Sequence, residues 1–324
     1  MLIPNNIEKK DLAKPACASG TVNLNHARLD MSLTNLQRCY DREPFGFSHN
    51  LNTLDLFQPR SLVRLCEIFS ESNRGYFISA GAPSGGTDFY SVPHGGLMPD
   101  KAMEQLSSRP LRILLKRPET QDSGFRDLLN LLFQQIADLC GILSNEHVLR
   151  LESAVLITSA ATITPIHFDP VIGFFSQIEG EKKYHVYSPA DTDERDLERF
   201  YIRGVFDIGA VKLENRNPAH EHVFRLNAGA AFHQPQNACH WVETGTNRSV
   251  SYTFVFQTDA TQALGRTRAF NHYERKLGVI PAPPGRHPHC DKVKGETMRV
   301  VIPLRQKVSH ILEGIRKTSE APRL

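Results

Sequence analysis

Residues 164–189, TPIHFDPVIGFFSQIEGEKKYHVYSP, place a histidine, a carboxylate and two lysines among apolar neighbours. His167 and Asp169 are two residues apart, and on a strand such residues point to the same face. Unpaired charge is costly to bury, so these side chains require partners. A metal ion bound by His167 and Asp169, with an anionic ligand near the lysines, would supply both.

A third ligand from a distant strand would complete a set of two histidines and one carboxylate, which leaves positions open on Fe(II) for a cosubstrate and oxygen. His240 is the best candidate, because it lies between two strand-like runs, NAGAAFHQP and RSVSYTFVF. His289 and Asp291 repeat the spacing of the first pair. They lie in a Pro-rich stretch without strands to support ligands rigidly, so we predict no metal site there.

The two lysines of KKYHVY, Lys182 and Lys183, fall on opposite faces of a strand. One of them must face inward if the strand is central. A buried ammonium group requires a carboxylate, which a dicarboxylate cosubstrate chelating iron would provide. The alternative is a lysine that extends along the strand end to solvent.

Bulk composition limits the classes of function. The chain has 324 residues, of which 40% are hydrophobic and 23% charged, with a formal net charge of +3. That charge is too small to indicate binding to nucleic acid or a membrane surface. No apolar run reaches the ~18 residues of a membrane span, and the start lacks the apolar segment of a secretory signal. The six cysteines form no CxxC pair, which favours reduced thiols and a cytoplasmic location.

The N-terminal half alternates between helical and strand patterns. Residues 1–45 are polar and predict a loosely packed arm. Apolar spacing predicts a helix over 61–71 and strands over 75–80 and 108–118. A long amphipathic helix follows, with Ser123 as the expected N-cap.

From about residue 147 the pattern changes to short β-branched and aromatic runs separated by Gly, Pro, Asn and Asp. This succession predicts an antiparallel sandwich or barrel over 147–257, within a domain of residues 46–268. The charged segment 190–220 is expected to be an insertion between strands. Residues 269–324 would form an extension, first irregular and then helical.

The stretch 164–189 resembles the JmjC/cupin-8 family of Fe(II)- and 2-oxoglutarate-dependent oxygenases. It is most similar to the branch containing the asparaginyl hydroxylase of hypoxia-inducible factor. The matching pattern is Thr-Pro-x-His-x-Asp, then Phe-Phe-x-Gln-Ile-x-Gly and a lysine, then a strand ending at Pro189. A second match runs from Gly229 to Pro235 and on to His240. The resemblance is specific over about residues 160–256 and looser in the N-terminal half.

The resemblance implies a mainly β fold with helical additions and a double-stranded β-helix core of the cupin, JmjC-like type. It implies that His167, Asp169 and His240 bind iron and that Thr164 and Lys182 hold the distal carboxylate of 2-oxoglutarate. Arg248 is the alternative to Lys182. Members convert 2-oxoglutarate and O2 to succinate and CO2 while hydroxylating a peptide side chain, an amino acid or a small metabolite. Gly173 stands where the branch often has Asn.

Other interpretations remain open at this stage. A metal-dependent cupin isomerase or a cosubstrate-free dioxygenase would use more histidines and no inward lysine. A non-catalytic cupin would be a binding module, although all three ligand positions are filled. The segments 81–105 and 190–222 are expected to select the substrate. A C-terminal apolar stripe could pair two chains as a homodimer; it comprises Val300, Val301, Leu304, Val308, Ile311, Leu312 and Ile315.

Overall fold

The computed structural model describes residue 24 and residues 26–93, 95–141, 146–203 and 208–319, with side chains up to residue 308. The strands are β1 (Leu29–Asp30), β2 (Phe45–His49), β3 (Tyr76–Ala80), β4 (Leu111–Lys116), β5 (Val148–Thr158), β6 (Ile163–Phe168), β7 (Ile172–Glu179), β8 (Glu181–Tyr187), β9 (Gly209–Ala210), β10 (Glu221–Asn227), β11 (Ala230–Gln234), β12 (His240–Thr244) and β13 (Ser249–Thr258). The α-helices are α1 (Leu33–Cys39), α2 (Pro59–Ser72), α3 (Pro99–Glu104), α4 (Ser123–Cys140), α5 (Glu194–Tyr201), α6 (Asp259–Lys276) and α7 (Pro288–Ser319).

The strands form two antiparallel sheets. The major sheet has the order β1-β2-β11-β7-β13-β5-β4-β3, and the minor sheet has the order β10-β8-β12-β6-β9. Along the chain, β5, β7, β11 and β13 enter the major sheet, while β6, β8, β10 and β12 enter the minor one. This strand order is that of a double-stranded β-helix, so the predicted fold class is confirmed.

The major sheet separates a helical core from an internal cavity. On β13, Tyr252, Phe254 and Phe256 are buried in the large apolar core on the helical side, and Thr253 and Val255 line the cavity on the other. The core continues into α2, where Leu62, Leu65, Cys66 and Phe69 are buried at helical spacing. Because side chains alternate along a strand, one face of β13 packs in the core and the other face lines the cavity.

Some helix boundaries differ from those expected. Asp122, not Ser123, caps α4, because its carboxylate accepts hydrogen bonds from the backbone N–H groups of Gly124 and Phe125. Residues 269–276 were expected to be irregular but are helical. Their helix starts at Asp259, where Thr258 and Thr261 form a reciprocal capping box. A cap located eleven residues upstream is easily missed when the helix itself is only weakly amphipathic.

The ends of the expected domain also contain more structure than their composition indicates. Residues 1–23 lie outside the described part of the chain. Within the predicted arm, Leu29 pairs with His49 in the major sheet, and Leu36 of α1 is fully buried. The segment 190–220 contains α5 and the edge strand β9. None of the described helices is long and apolar enough to cross a membrane.

The turn between β7 and β8 depends on Gly180, whose φ is +69°. An added Cβ would lie 2.2 Å from the carbonyl oxygen of Arg248. We expect Gly180→Ala to lower the free energy of unfolding by more than ~2 kcal/mol, since left-handed strain and a backbone overlap add. Urea unfolding followed by circular dichroism would measure this loss.

The matched control is Gly141→Ala, at the C-terminus of α4. Gly141 also has a positive φ, +55°, but an added Cβ would meet no described atom within 4 Å. Only the conformational cost of about 1 kcal/mol is expected there. Equal losses in the two variants would contradict the prediction.

Candidate metal centre and ligand pocket

His167, Asp169 and His240 converge although 73 residues separate the first from the last. The Cα partner of His240 on β12 is His167 on β6, and Asp169 follows directly after β6. One possible ligand atom from each residue lies within 4.8 Å of the others. In the described part of the chain, this is the one group of three such side chains close enough to hold a metal ion.

Backbone carbonyl groups orient both imidazole rings. Nδ1 of His167 lies 2.8 Å from the carbonyl oxygen of Pro165, and Nδ1 of His240 lies 3.1 Å from that of Ala238. A carbonyl can only accept, so each Nδ1 carries the proton and each Nε2 keeps a free lone pair. Nε2 of His240 is 3.8 Å from Oδ2 of Asp169. Both rings therefore present metal-binding nitrogens to the same point.

The protonation states also suit a metal. Burial, reinforced by the nearby His240, lowers the pKa of His167 to about 3. Burial on its own would raise the pKa of Asp169, but His167, His240 and a hydrogen bond from Gln234 outweigh it, so this pKa lies below its usual value. At neutral pH the site thus offers neutral His167 and a carboxylate. These are ligands for a divalent transition metal such as Fe(II).

A cavity of about 380 Å³ extends from the three side chains into the barrel. This size lies within the range of small-molecule sites. Asp169 is the one carboxylate among the described residues that line it, and Arg112 and Lys116 are its charged basic residues. Its walls are mostly apolar, and they include Phe77, Leu114, Leu156, Phe175, Val242 and Val255.

Lys182 is the lysine that faces inward. Its relative exposure is 1%, and Nζ has no hydrogen-bond partner among the described residues. Burial, and then the charge of Arg112, lowers its pKa well below the usual value. Nζ lies 5.7 Å from the ring centroid of Phe175, a residue of the cavity wall. Lys183 points outward, where it forms a salt bridge with Glu243 at 3.6 Å.

Thr164 lines the same cavity and is 8% exposed. Gly173 lines it as well, so the missing side chain leaves space where the resembling branch has an amide. Arg248, the alternative cation, lies elsewhere. Its guanidinium binds both carboxylate oxygens of Glu179 at 2.8 Å, and it is not among the cavity residues.

Sequence reasoning missed two residues. Gln234 donates a hydrogen bond from Nε2 to Oδ2 of Asp169 at 3.1 Å, which fixes the carboxylate. Arg112 is buried and lines the cavity from β4. The alternation of LRILLK places Arg112 with Leu114 and Lys116 on one strand face. That pattern was visible in the sequence, but nothing in it indicates which face meets the cavity.

Two loops from distant parts of the chain form the remaining wall of the cavity. Phe89, Tyr90 and Val92 come from the expected 81–105 segment, and Ile208 comes from 190–222. The hydroxyl group of Tyr90 donates a hydrogen bond to the carbonyl oxygen of Ile208 at 2.6 Å. The ring of Phe89 lies 4.7 Å from that of His167, centroid to centroid. Both segments therefore contact the space next to the candidate metal ligands.

The competing His289 and Asp291 lie in the first turn of α7, not in a loop. Asp291 accepts a hydrogen bond from the backbone N–H of Gly285, and His289 is exposed. They belong to no group of metal-binding side chains found in the described residues.

No protein family and no curated protein was found to match this sequence. Among solved structures, that of YcfD from E. coli matches with 14% identity and a TM-score of 0.48, over 86% of this chain and 69% of that chain. A structure of YcfD, a ribosomal oxygenase, with cobalt and 2-oxoglutarate matches with 15% identity and a TM-score of 0.48. The match covers 85% of this chain and 68% of that chain. The DMSP lyase DddQ from Ruegeria pomeroyi matches with 14% identity and a TM-score of 0.22, over 33% of this chain and 38% of that chain.

At such TM-scores these matches carry no argument about activity. The assignment of the fold rests on the strand order, and that of the site rests on its own geometry. The comparisons likewise add no support for the asparaginyl hydroxylase branch, which stays a prediction.

We expect His240→Ala to abolish tight metal binding. Removing a residue that only hydrogen-bonds to a metal ligand lowers metal affinity ~10- to 100-fold. The loss of affinity in His240→Ala should be larger, because a ligand itself is removed. Anaerobic calorimetric titration with Fe(II) would measure the affinity, and circular dichroism would show that the fold is retained. His289→Ala is the control and should bind like the unchanged protein. Metal loss in the control with retention in His240→Ala would refute the assignment.

Proposed function

We propose that this protein is a JmjC-like oxygenase that uses Fe(II) and 2-oxoglutarate to hydroxylate a second substrate. The observation that carries the proposal is the combination of two features in one barrel. A two-histidine, one-carboxylate group lies beside the cavity, and a buried lysine with no hydrogen-bond partner among the described residues lies behind its wall. A dicarboxylic 2-oxo acid suits both, since one end would bind the metal and the other would compensate the lysine.

The residues present fit these groups. His167, Asp169 and His240 would hold the metal, and Lys182 with Thr164 would hold the distal carboxylate. When bound, Fe(II) and 2-oxoglutarate would supply oxidative decarboxylation coupled to oxidation by O2. The chain itself orients the ligands, because the two Nδ1–H groups fix the imidazole rings and Gln234 fixes the carboxylate of Asp169. The apolar walls exclude water from the reacting centre.

The second substrate would enter past the loops that carry Phe89 and Ile208. We propose a peptide side chain, an amino acid or a small metabolite as its class. The other metal-dependent cupin enzymes explain the histidines but leave the buried Lys182 without a partner. The same holds for a non-catalytic binding module. A cytoplasmic location stays a prediction.

The test is release of succinate from 2-oxoglutarate by the Fe(II)-loaded protein in air, with peptide and metabolite libraries added. Lys182→Met should raise the KM for 2-oxoglutarate at least tenfold, because a charge-assisted bond contributes about 1.5–3 kcal/mol. Lys183→Met is the matched control, since its ammonium group pairs with Glu243 on the outer side. No succinate under any condition would refute the function, and equal effects of the two variants would refute the role of Lys182.

We also propose that α7 pairs two chains. Val293, Val300, Leu304 and Val308 are each more than half exposed and lie along one side of the helix. Val301, which the sequence placed in the same stripe, instead packs against the cluster around Met298 and α6. The predicted members beyond residue 308 lie outside the described side chains. A second copy would cover the exposed stripe in a symmetric contact.

Light scattering of the full-length protein should therefore give the mass of a dimer at micromolar concentration. Leu304→Glu should shift it towards the monomer, because a charge would enter the apolar contact. Leu277→Glu, at an exposed site outside the stripe, should leave the dimer intact. A monomeric unchanged protein, or a dimer unaffected by Leu304→Glu, would exclude this interface.

A further inference from the structure

Arg112 is a buried cation with no compensating charge among the described residues. Its relative exposure is 9%. Within the described structure, Nε has no hydrogen-bond partner, and Nη1 reaches only the hydroxyl group of Ser79, at 3.4 Å. Burial lowers its pKa to about 10, so the group remains charged at neutral pH. An arginine in this state normally pairs with a carboxylate or phosphate in a forked geometry. Here that partner has to come from outside the chain.

Arg112 and Lys182 approach the same end of the barrel from opposite sheets. The Cα partner of Arg112 on β5 is Thr158, and that of Lys182 on β12 is Thr244. The hydroxyl groups of these two threonines lie 3.2 Å apart, where the major and minor sheets meet. The two cations are near enough that Arg112 lowers the pKa of Lys182. Two unpaired positive charges at one place repel each other, so an anion between them is favoured.

The two cations differ in their access to the cavity. Arg112 is among the residues that line it, whereas Lys182 is not and lies behind the ring of Phe175. A ligand extending from the metal site towards the closed end would therefore meet the guanidinium group first. The other basic residues are placed differently: Arg248 is bound to Glu179, and Lys116 lines the cavity from an exposed position, where its charge lowers the pKa of Asp169.

We infer that Arg112 selects the cosubstrate by binding its distal carboxylate, with Lys182 as the second cation behind it. This inference rests on the proposed function and adds a residue that the resemblance did not supply. Arg112 would be a binding and specificity-determining residue, not one that takes part in proton or electron transfer. The alternative is a structural arginine that only ties β4 to β3 through Ser79.

The test compares two oxo acids that differ in the distal carboxylate. Full-length protein loaded with Mn(II) is titrated calorimetrically with 2-oxoglutarate and with 2-oxobutyrate, in the absence of turnover. Arg112→Met should weaken 2-oxoglutarate binding roughly 10- to 150-fold, the range of one charged hydrogen bond. Its affinity for 2-oxobutyrate should stay unchanged, so the preference for the diacid largely disappears. Arg112→Lys should restore part of that preference because it restores the charge.

Arg109→Met is the control, since Arg109 is exposed two residues before β4 and its guanidinium group donates a hydrogen bond to Gln105. It should keep the affinities of the unchanged protein. If the unchanged protein binds neither oxo acid, the proposed function itself fails. If it prefers 2-oxoglutarate and Arg112→Met preserves that preference, the inference about Arg112 is overturned. A merely structural role would weaken both oxo acids equally, which would also overturn it.

Discussion

His240 and His167 face each other across the ladder between β12 and β6, and the other functional residues take their positions from this pairing. Because side chains alternate along a strand, fixing these two histidines inside the barrel also fixes which neighbours face inward. On β12 the ladder continues from His240 at the metal site to Thr244, where the two sheets meet. One register thus determines both ends of the cavity. A slip of one residue would turn every inward group outward.

The barrel carries positive charge that it does not compensate. Arg112 and Lys182 are buried without carboxylate partners among the described residues, while Asp169 is held by the amide of Gln234 and lies next to two imidazoles. Burial of charged groups without a partner of opposite charge destabilises the ligand-free protein. An anion that enters the cavity removes this cost, so part of the stability of the fold is coupled to ligand binding. Functional sites often keep such locally unfavourable groups because the rest of the core stabilises them.

The apolar core stabilises the fold enough to tolerate these buried charges. Aromatic residues of β7 and β13 stack on the helical side of the major sheet, for example Phe174 and Phe254 with ring centroids 5.1 Å apart. Their neighbours Thr253 and Val255 line the cavity from the same strand. The helices therefore stabilise the sheet from behind without filling the space in front of it. The loops that carry Tyr90 and Ile208 then form the remaining wall, and the hydrogen bond from Tyr90 to Ile208 joins them.

Spacing alone predicted an antiparallel sandwich or barrel, a metal-binding His-x-Asp pair and one inward lysine of two, whereas the double-stranded β-helix was expected from the family resemblance. The His-x-Asp pair and strand alternation are local properties, so the sequence determines them directly. The closeness of His240 to His167, the inward choice of Lys182 over Lys183, and the place of Arg112 depend on which strands pair and which face is enclosed. The N-cap at Asp122 and the early start of α6 were also misplaced, because caps compete with neighbouring residues of similar propensity. Only the tertiary structure decides such questions, since burial and charge compensation are set by residues far apart in the chain.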